Sequence, residues 1–392
     1  MSDTKSSTYC TLSHVCMALQ NESDLSCCNV NKASWKNNKH EVMHVYSHPL
    51  KDAFKSYTRK MIASSLDNGV KHPSCQACWD LEEAGSQSSR QQFNAVFKNL
   101  EPLEDQPRVL IIKPGNTCNY ACRMCNPLTS SSWYADGYKL ENPGITFNEY
   151  TKTFETIRNS FNPDHVEFWD QLKQWIANIE CIHIYGGEPF LIPAMFDLLE
   201  HGISIGANKN IALAIHTNAS IWNQRYLEIL SAYKSVDFSI SIDSMVPAQL
   251  SYIRHKADYD VVIKNTLRFK EFFKDFHNVK RAITLTITPL NVFYLNQISK
   301  DLKKITGLNF GENIVTTPEY DIRHLPIPVK QFLMSTINSP KVVNFLKQTI
   351  PGCDIEWPKF CRVTDQLDQI RNQSFAETFP EWWKMLEPYW VK

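Results

Sequence analysis

The sequence lacks the features that would place it in several large classes. No run of ~18 apolar residues occurs, so no membrane-spanning helix is expected. The N-terminus, MSDTKSSTYC, has neither the basic stretch nor the apolar core of a signal peptide, and a cytoplasmic protein without membrane contact is the expectation. Charge of one sign is missing too. The 392 residues carry 41 basic and 41 acidic side chains, which removes any diffuse attraction to nucleic acid or an anionic membrane. There is no Walker loop, no G-x-G-x-x-G element, no internal repeat and no basic-aromatic stripe that would mark nucleic-acid binding. What remains is a globular composition, 43% hydrophobic and 21% charged, long enough for two or three domains at ~100–200 residues each.

Against these absences stand twelve cysteines. In a reducing compartment, cysteines at short spacings are read as metal or cluster ligands rather than disulfides. Cys118, Cys122 and Cys125 form C-x3-C-x2-C. Iron–sulfur clusters are ordinarily held by four cysteines, so three thiolates on one loop leave one iron open to a substrate or cofactor. Val109–Ile112 reads as a short buried strand, broken by Lys113-Pro114-Gly115-Asn116 just before the triplet. In a barrel of alternating strands and helices, the loop after a strand is where sites are built. A second buried strand, 181–185, runs into Gly186-Gly187-Glu188-Pro189. Two glycines let a ligand approach the backbone, and a glutamate accepts from an ammonium group.

TCNYACRMC followed by YGGEPF resembles the radical S-adenosylmethionine (radical SAM) enzymes, with Met124 in the variable apolar place. The resemblance implies that Cys118, Cys122 and Cys125 bind a [4Fe–4S] cluster whose open iron chelates the amino and carboxylate groups of S-adenosylmethionine. It implies that Gly186, Gly187, Glu188 and Pro189 form the cofactor loop, the first three contacting the amino group. The activity implied is reductive cleavage of S-adenosylmethionine to methionine and a 5′-deoxyadenosyl radical that abstracts hydrogen from a substrate. A flavodoxin- or ferredoxin-type donor would supply the electron.

The family fold is a partial (β/α)6 TIM-like barrel. Strands are expected at 109–113, 181–185, 211–216, 237–242, 282–288 and 312–317, with helices at 191–201, 222–233, 259–276 and 292–305 between them. Residues 126–180 form a long insertion, a candidate lid or substrate contact. Three units are expected: a cysteine-rich module over 1–100, the barrel over 101–320, and a helical, aromatic-rich extension over 321–392, in which Trp382, Trp383 and Trp390 read as packing residues. At strand ends, Ser239, Ser241 and Asp243 alternate onto one face, where a hydroxyl and a carboxylate suit the ribose hydroxyls. Thr217 and Asn218 end the preceding strand similarly, and Arg254 suits the methionyl carboxylate. A turn or helix cap is the plainer use of such strand ends.

In the first hundred residues, Cys75 and Cys78 with Cys10 and one of Cys27 or Cys28 make a four-thiolate set, which suits structural zinc as well as a cluster. The stretch HPSCQACWDLEEAGSQSSR resembles members of the family that carry a twitch or SPASM-like auxiliary-cluster module, with Glu83, Gly85, Ser88 and Arg90 as its matching positions. That resemblance implies an auxiliary [4Fe–4S] cluster on Cys10, Cys27 or Cys28, Cys75 and Cys78. Cys16, Cys181, Cys353 and Cys361 read as small buried hydrophobes. His40-Glu41-Val42-Met43-His44 also matches the H-E-x-x-H of zinc proteases, but Pro49 follows His48 at once and no further ligand is evident. Members with auxiliary clusters often modify peptides or proteins, so a peptide or protein side chain is the expected substrate, with a nucleotide, sugar or other small molecule as the alternative. A zinc-binding protein or metalloprotease is the distant one.

Overall fold

The computed structural model describes residues 5–20, 27, 36–41, 48–83, 85, 87–113, 115–155 and 165–391. Seven strands form one sheet: β1 (Cys16–Gln20), β2 (Val109–Lys113), β3 (Cys181–Ile184), β4 (Ala212–Thr217), β5 (Ser235–Ser241), β6 (Val279–Ile287) and β7 (Asn309–Ile314). Every neighbouring pair is parallel, and the spatial order follows the chain. Parallel neighbours need a crossover each time, and helices Pro193–Ser204, Gln224–Ser231, Tyr259–Phe272 and Leu295–Thr306 supply the last four. This is an α/β fold, a partial TIM-like barrel. No helix among the described residues is long and apolar enough to cross a membrane.

Six strands are expected from the sequence, and the parallel sheet of the described residues has seven. The extra one, β1, lies within the cysteine-rich segment and pairs with β2 from Cys16↔Val109 to Gln20↔Lys113. Its sequence, CMALQ, has none of the β-branched residues that mark the other strands, so its pairing comes from context rather than propensity. The last strand falls three residues earlier than expected, at 309–314.

Period-two alternation divides the sheet into two faces. Met17, Leu19, Leu110, Ile112, Ile182, Ile184, Leu213, Ile215, Phe238 and Ile240 join the main core under the helices. On the opposite, inner face, Cys16, Ala18, Val109 and Ile111 join a second core with Cys10, Leu12, Cys27, Ile62, Leu66 and Trp79. The N-terminal segment therefore covers the inner face at the β1–β2 end. Over β3 to β6 that face is half-buried and polar, with His183, His216, Ser239, Ser241, Thr284 and Thr286.

The C-terminal segment is helical, as expected, with its longest helix at Cys353–Arg371. Its tryptophans pack and also bond: Trp382 Nε1 donates to the Pro289 carbonyl at 2.7 Å, and Trp390 Nε1 to Asp365 at 3.1 Å.

Candidate active site

The loop after β2 is built as a rigid cradle. The Asn116 side chain is buried and donates to the Pro127 carbonyl (2.7 Å) and the Tyr134 hydroxyl (2.9 Å), while the Asn116 backbone carbonyl accepts from Ser131 N–H (2.7 Å). Ser132 Oγ donates to the Cys118 carbonyl (2.9 Å), Ser130 Oγ to that of Tyr120 (2.6 Å) and Trp133 Nε1 to that of Cys122 (2.7 Å). The start of the insertion thus buttresses the cysteine loop. Ala121–Cys122 pairs antiparallel with Arg254–His255, which sets Cys122 opposite Arg254.

The three thiols stand together. Cys122 is lowered from its ordinary pKa by a hydrogen bond from Cys125, with the Arg254 guanidinium adding to the effect. Cys125 is raised by giving that bond, and burial pushes Cys118 up to about 12. Arg254 Nε lies 2.7 Å from Asp243 Oδ2, an ion pair whose two atoms are close but not aligned for a hydrogen bond. Burial disfavours the guanidinium's charge, yet Asp243 and Cys122 outweigh it and its pKa is raised. Among the described residues, no three Cys, His, Asp or Glu side chains converge tightly enough to hold a single ion. A cubane asks for a wider set, because each thiolate binds a different iron.

The Gly-Gly-Glu loop docks on this cradle backbone to backbone. Gly186 and Gly187 have φ of 83° and 56°, and Glu188 N–H donates to the Thr117 carbonyl at 2.8 Å. A Cβ on Gly187 would meet that carbonyl oxygen at 2.6 Å, so only glycine permits the contact. Glu188 is buried, and its carboxylate accepts from Phe190 N–H (3.1 Å), Thr217 Oγ1 (2.8 Å) and Asn218 N–H (2.7 Å). Burial raises its pKa to about 7 against those three bonds. Pro189 opens a short 3-10 turn and is buried.

Thr217 thus spends its hydroxyl on Glu188, where the sequence suggested a ribose contact. Asn218 Nδ2 reaches Asn119 Oδ1 at 3.0 Å and stands 3.9 Å from Cys118 Sγ. Asp243 is fully buried, its Oδ1 accepting from Thr286 N–H (2.9 Å) and its other oxygen facing Arg254. Ser241 ends β5 on the inner face, in register with Thr284. The sequence reading missed the inner-face pair His183 and His216, whose Nε2 atoms lie 3.0 Å apart. Their alternation with Ile182, Ile184 and Ile215 is the signal that could have found them.

A second set of thiols lies in the N-terminal segment. Burial pushes Cys10 and Cys75 up to about 12, and for both the neighbouring thiols of Cys27 and Cys78 push in the same direction. Cys16, read from sequence as a buried hydrophobe, is fully buried and also neighbours Cys27. Cys28 lies outside the described residues. Within this stretch Glu82 receives Ser88 and Arg90, while the helix Gln76–Glu83 turns Glu83 outward to Lys71 (2.8 Å). His40 and Glu41 sit in a turn, with His40 at φ 63°, and not on a helix. Residues 42–47, with His44, lie outside the described residues.

Residues 112–296 match the model of the Radical SAM superfamily. This segment is a radical SAM domain. Membership of this superfamily implies an enzyme with a [4Fe–4S] cluster and S-adenosylmethionine as cofactors. The donor set fits them: three thiols on one cradled loop, with a glycine backbone laid against it. No curated protein matches the chain. Similar solved structures include native anSMEcpe with bound AdoMet (19% identity, 54% of this chain and 52% of that one, TM-score 0.37). They also include the methyltransferase TsrM from Kitasatospora setae (13%, 52% and 36%, 0.35) and Streptococcus suis SuiB bound to precursor peptide SuiA (14%, 87% and 69%, 0.33). The chain spans about half the length of the anSMEcpe chain.

Proposed function

We propose that the chain is a radical SAM enzyme acting on a peptide or protein side chain, with an auxiliary [4Fe–4S] cluster in a twitch-like N-terminal module. The observation that carries the reading is the backbone contact between Gly187 and the loop of Cys118, Cys122 and Cys125. With S-adenosylmethionine bound, a cluster held by these thiols would supply one electron to the sulfonium, whose cleavage would yield methionine and a 5′-deoxyadenosyl radical.

The chain's own residues hold and shield. Cys118, Cys122 and Cys125 are the thiolate ligands, and Arg254 holds positive charge beside Cys122. Glu188 ties the glycine loop to the end of β4, which leaves the carbonyls of Gly186 and Gly187 to receive the amino group. Ser241 and Asn218 stand at the rim for polar groups of the cofactor. The inner-face hydroxyls and imidazoles offer neutral hydrogen-bonding partners, which suit peptide amides better than phosphate. Cys10, Cys27, Cys75 and Cys78 are the auxiliary ligands in this reading, and a flavodoxin- or ferredoxin-type protein the electron donor.

The test is anaerobic reconstitution of wild type and a Cys118/Cys122/Cys125→Ala variant, with iron, sulfide, zinc and 5′-deoxyadenosine measured. About eight irons in wild type, about four in the variant, and 5′-deoxyadenosine from wild type alone are expected. Zinc without iron and no cleavage would overturn the reading. For the substrate class, a peptide mass change in step with 5′-deoxyadenosine is expected from a peptide library, and turnover with small molecules alone would reassign it.

A further inference from the structure

Arg90 ties together the pieces that carry the N-terminal thiols. Its guanidinium is buried and takes Glu82 in a fork, Nε to Oε1 at 2.9 Å and Nη2 to Oε2 at 2.6 Å. The remaining nitrogen, Nη1, donates to the carbonyls of Tyr9 (2.7 Å) and Ser7 (3.2 Å), directly before Cys10. Asn94 repeats the bridge one helical turn on, with Nδ2 donating to the Tyr9 carbonyl (2.8 Å) and Oδ1 accepting from Thr11 N–H (2.7 Å), so Cys10 is held from both sides. Glu82 lies four residues after Cys78 on the same helix, hence on the same face. Ser88 Oγ donates to Glu82 as well, at 2.5 Å, while capping the helix Ser89–Val96. The guanidinium carbon sits 4.9 Å from the centre of the Trp79 ring. Arg90 therefore has one nitrogen on the Cys10 segment and two on the helix that carries Cys78.

We propose that Arg90 is the positioning residue of the auxiliary site: it fixes the separation of Cys10 from the helix that carries Cys78. The inference rests on the auxiliary-cluster reading above. A bridge of this shape needs a planar fork with a spare nitrogen, which lysine lacks.

The full chain is loaded with iron and sulfide as wild type, Arg90→Lys, Arg90→Gln and Glu82→Gln, with Glu83→Gln as control. Iron content, the electron paramagnetic resonance of each cluster and its potential are read. Wild type and the control are expected to hold about eight irons, and Arg90→Gln about four, with the signal of the Cys118–Cys125 cluster retained as proof of folding. Arg90→Lys and Glu82→Gln are expected to alter the auxiliary signal or lower its iron. Should Arg90→Gln lose both clusters, those two variants decide: an altered auxiliary signal supports the proposal and an unaltered one overturns it. Eight irons with unchanged auxiliary signal and potential in every variant would overturn the role of Arg90 and leave the auxiliary cluster standing. Four irons in wild type would overturn both.

Discussion

Arg123, the residue after Cys122, donates to the carboxylate of Asp368, 245 positions further along the chain. The guanidinium lies 3.6 Å from the centre of the Tyr252 ring and also donates to the Tyr252 carbonyl (3.1 Å) and Gln373 Oε1 (3.1 Å). Asp368 in turn accepts from the Tyr252 hydroxyl (2.8 Å) and Phe375 N–H (2.6 Å). Arg371 repeats the connection, with Nη2 2.9 Å from Asp136 and its guanidinium over the Trp133 ring. The C-terminal helix is therefore part of the frame that fixes the cysteine loop.

Breaking that pair leaves a buried guanidinium without its counter-charge, which costs about 3–5 kcal/mol. Asp368→Asn is expected to lower the unfolding free energy by that amount in a urea titration. It should also reduce iron retained at the Cys118–Cys125 loop, with iron at the N-terminal thiols unchanged.

Gly187→Ala combines a left-handed backbone with a clash at 2.6 Å against the Thr117 carbonyl, so the two loops must separate. Loss of S-adenosylmethionine binding of tenfold or more is expected by isothermal titration of the reconstituted protein. Gly69→Ala, at φ 80° with open space around it, should cost only about 1 kcal/mol of stability and leave binding intact.

Asn116→Ala removes the buried amide that holds the Pro127 carbonyl and the Tyr134 hydroxyl. Leaving such groups unsatisfied costs about 1–3 kcal/mol. A loss in that range by chemical denaturation, with slower cluster reconstitution, is the expected result.

His183 is pushed from its ordinary 6.5 down to about 4, first by burial and then by His216. The unfolded chain takes up a proton between pH 6.5 and pH 4 that the folded chain refuses. The stability this group contributes is therefore whole above pH 6.5 and lost as pH falls toward 4, by up to about 1.4 kcal/mol per pH unit. His183→Gln should flatten that part of the profile. Urea midpoints of wild type and variant compared at pH 7 and pH 4.5 provide the measurement, and equal slopes would refute it.

The sequence by itself determined what is local. Val109–Lys113 and Cys181–Ile184 are legible because buried parallel strands are short β-branched runs, and the cysteine and glycine loops follow them at fixed offsets. Only the tertiary structure decided what depends on distant partners. Thr217 and Glu188 read as two ligand contacts until strand alternation turns Thr217 toward the buried face, where its hydroxyl meets Glu188. Asp243 and Arg254 read as separate cofactor residues, and a buried charge without water takes the nearest opposite charge, which is each other. Strand β1 carries no propensity signal, and Arg123 looks like any surface arginine between two cysteines. Both acquire their roles from contacts made 93 or more residues away, which no local pattern encodes.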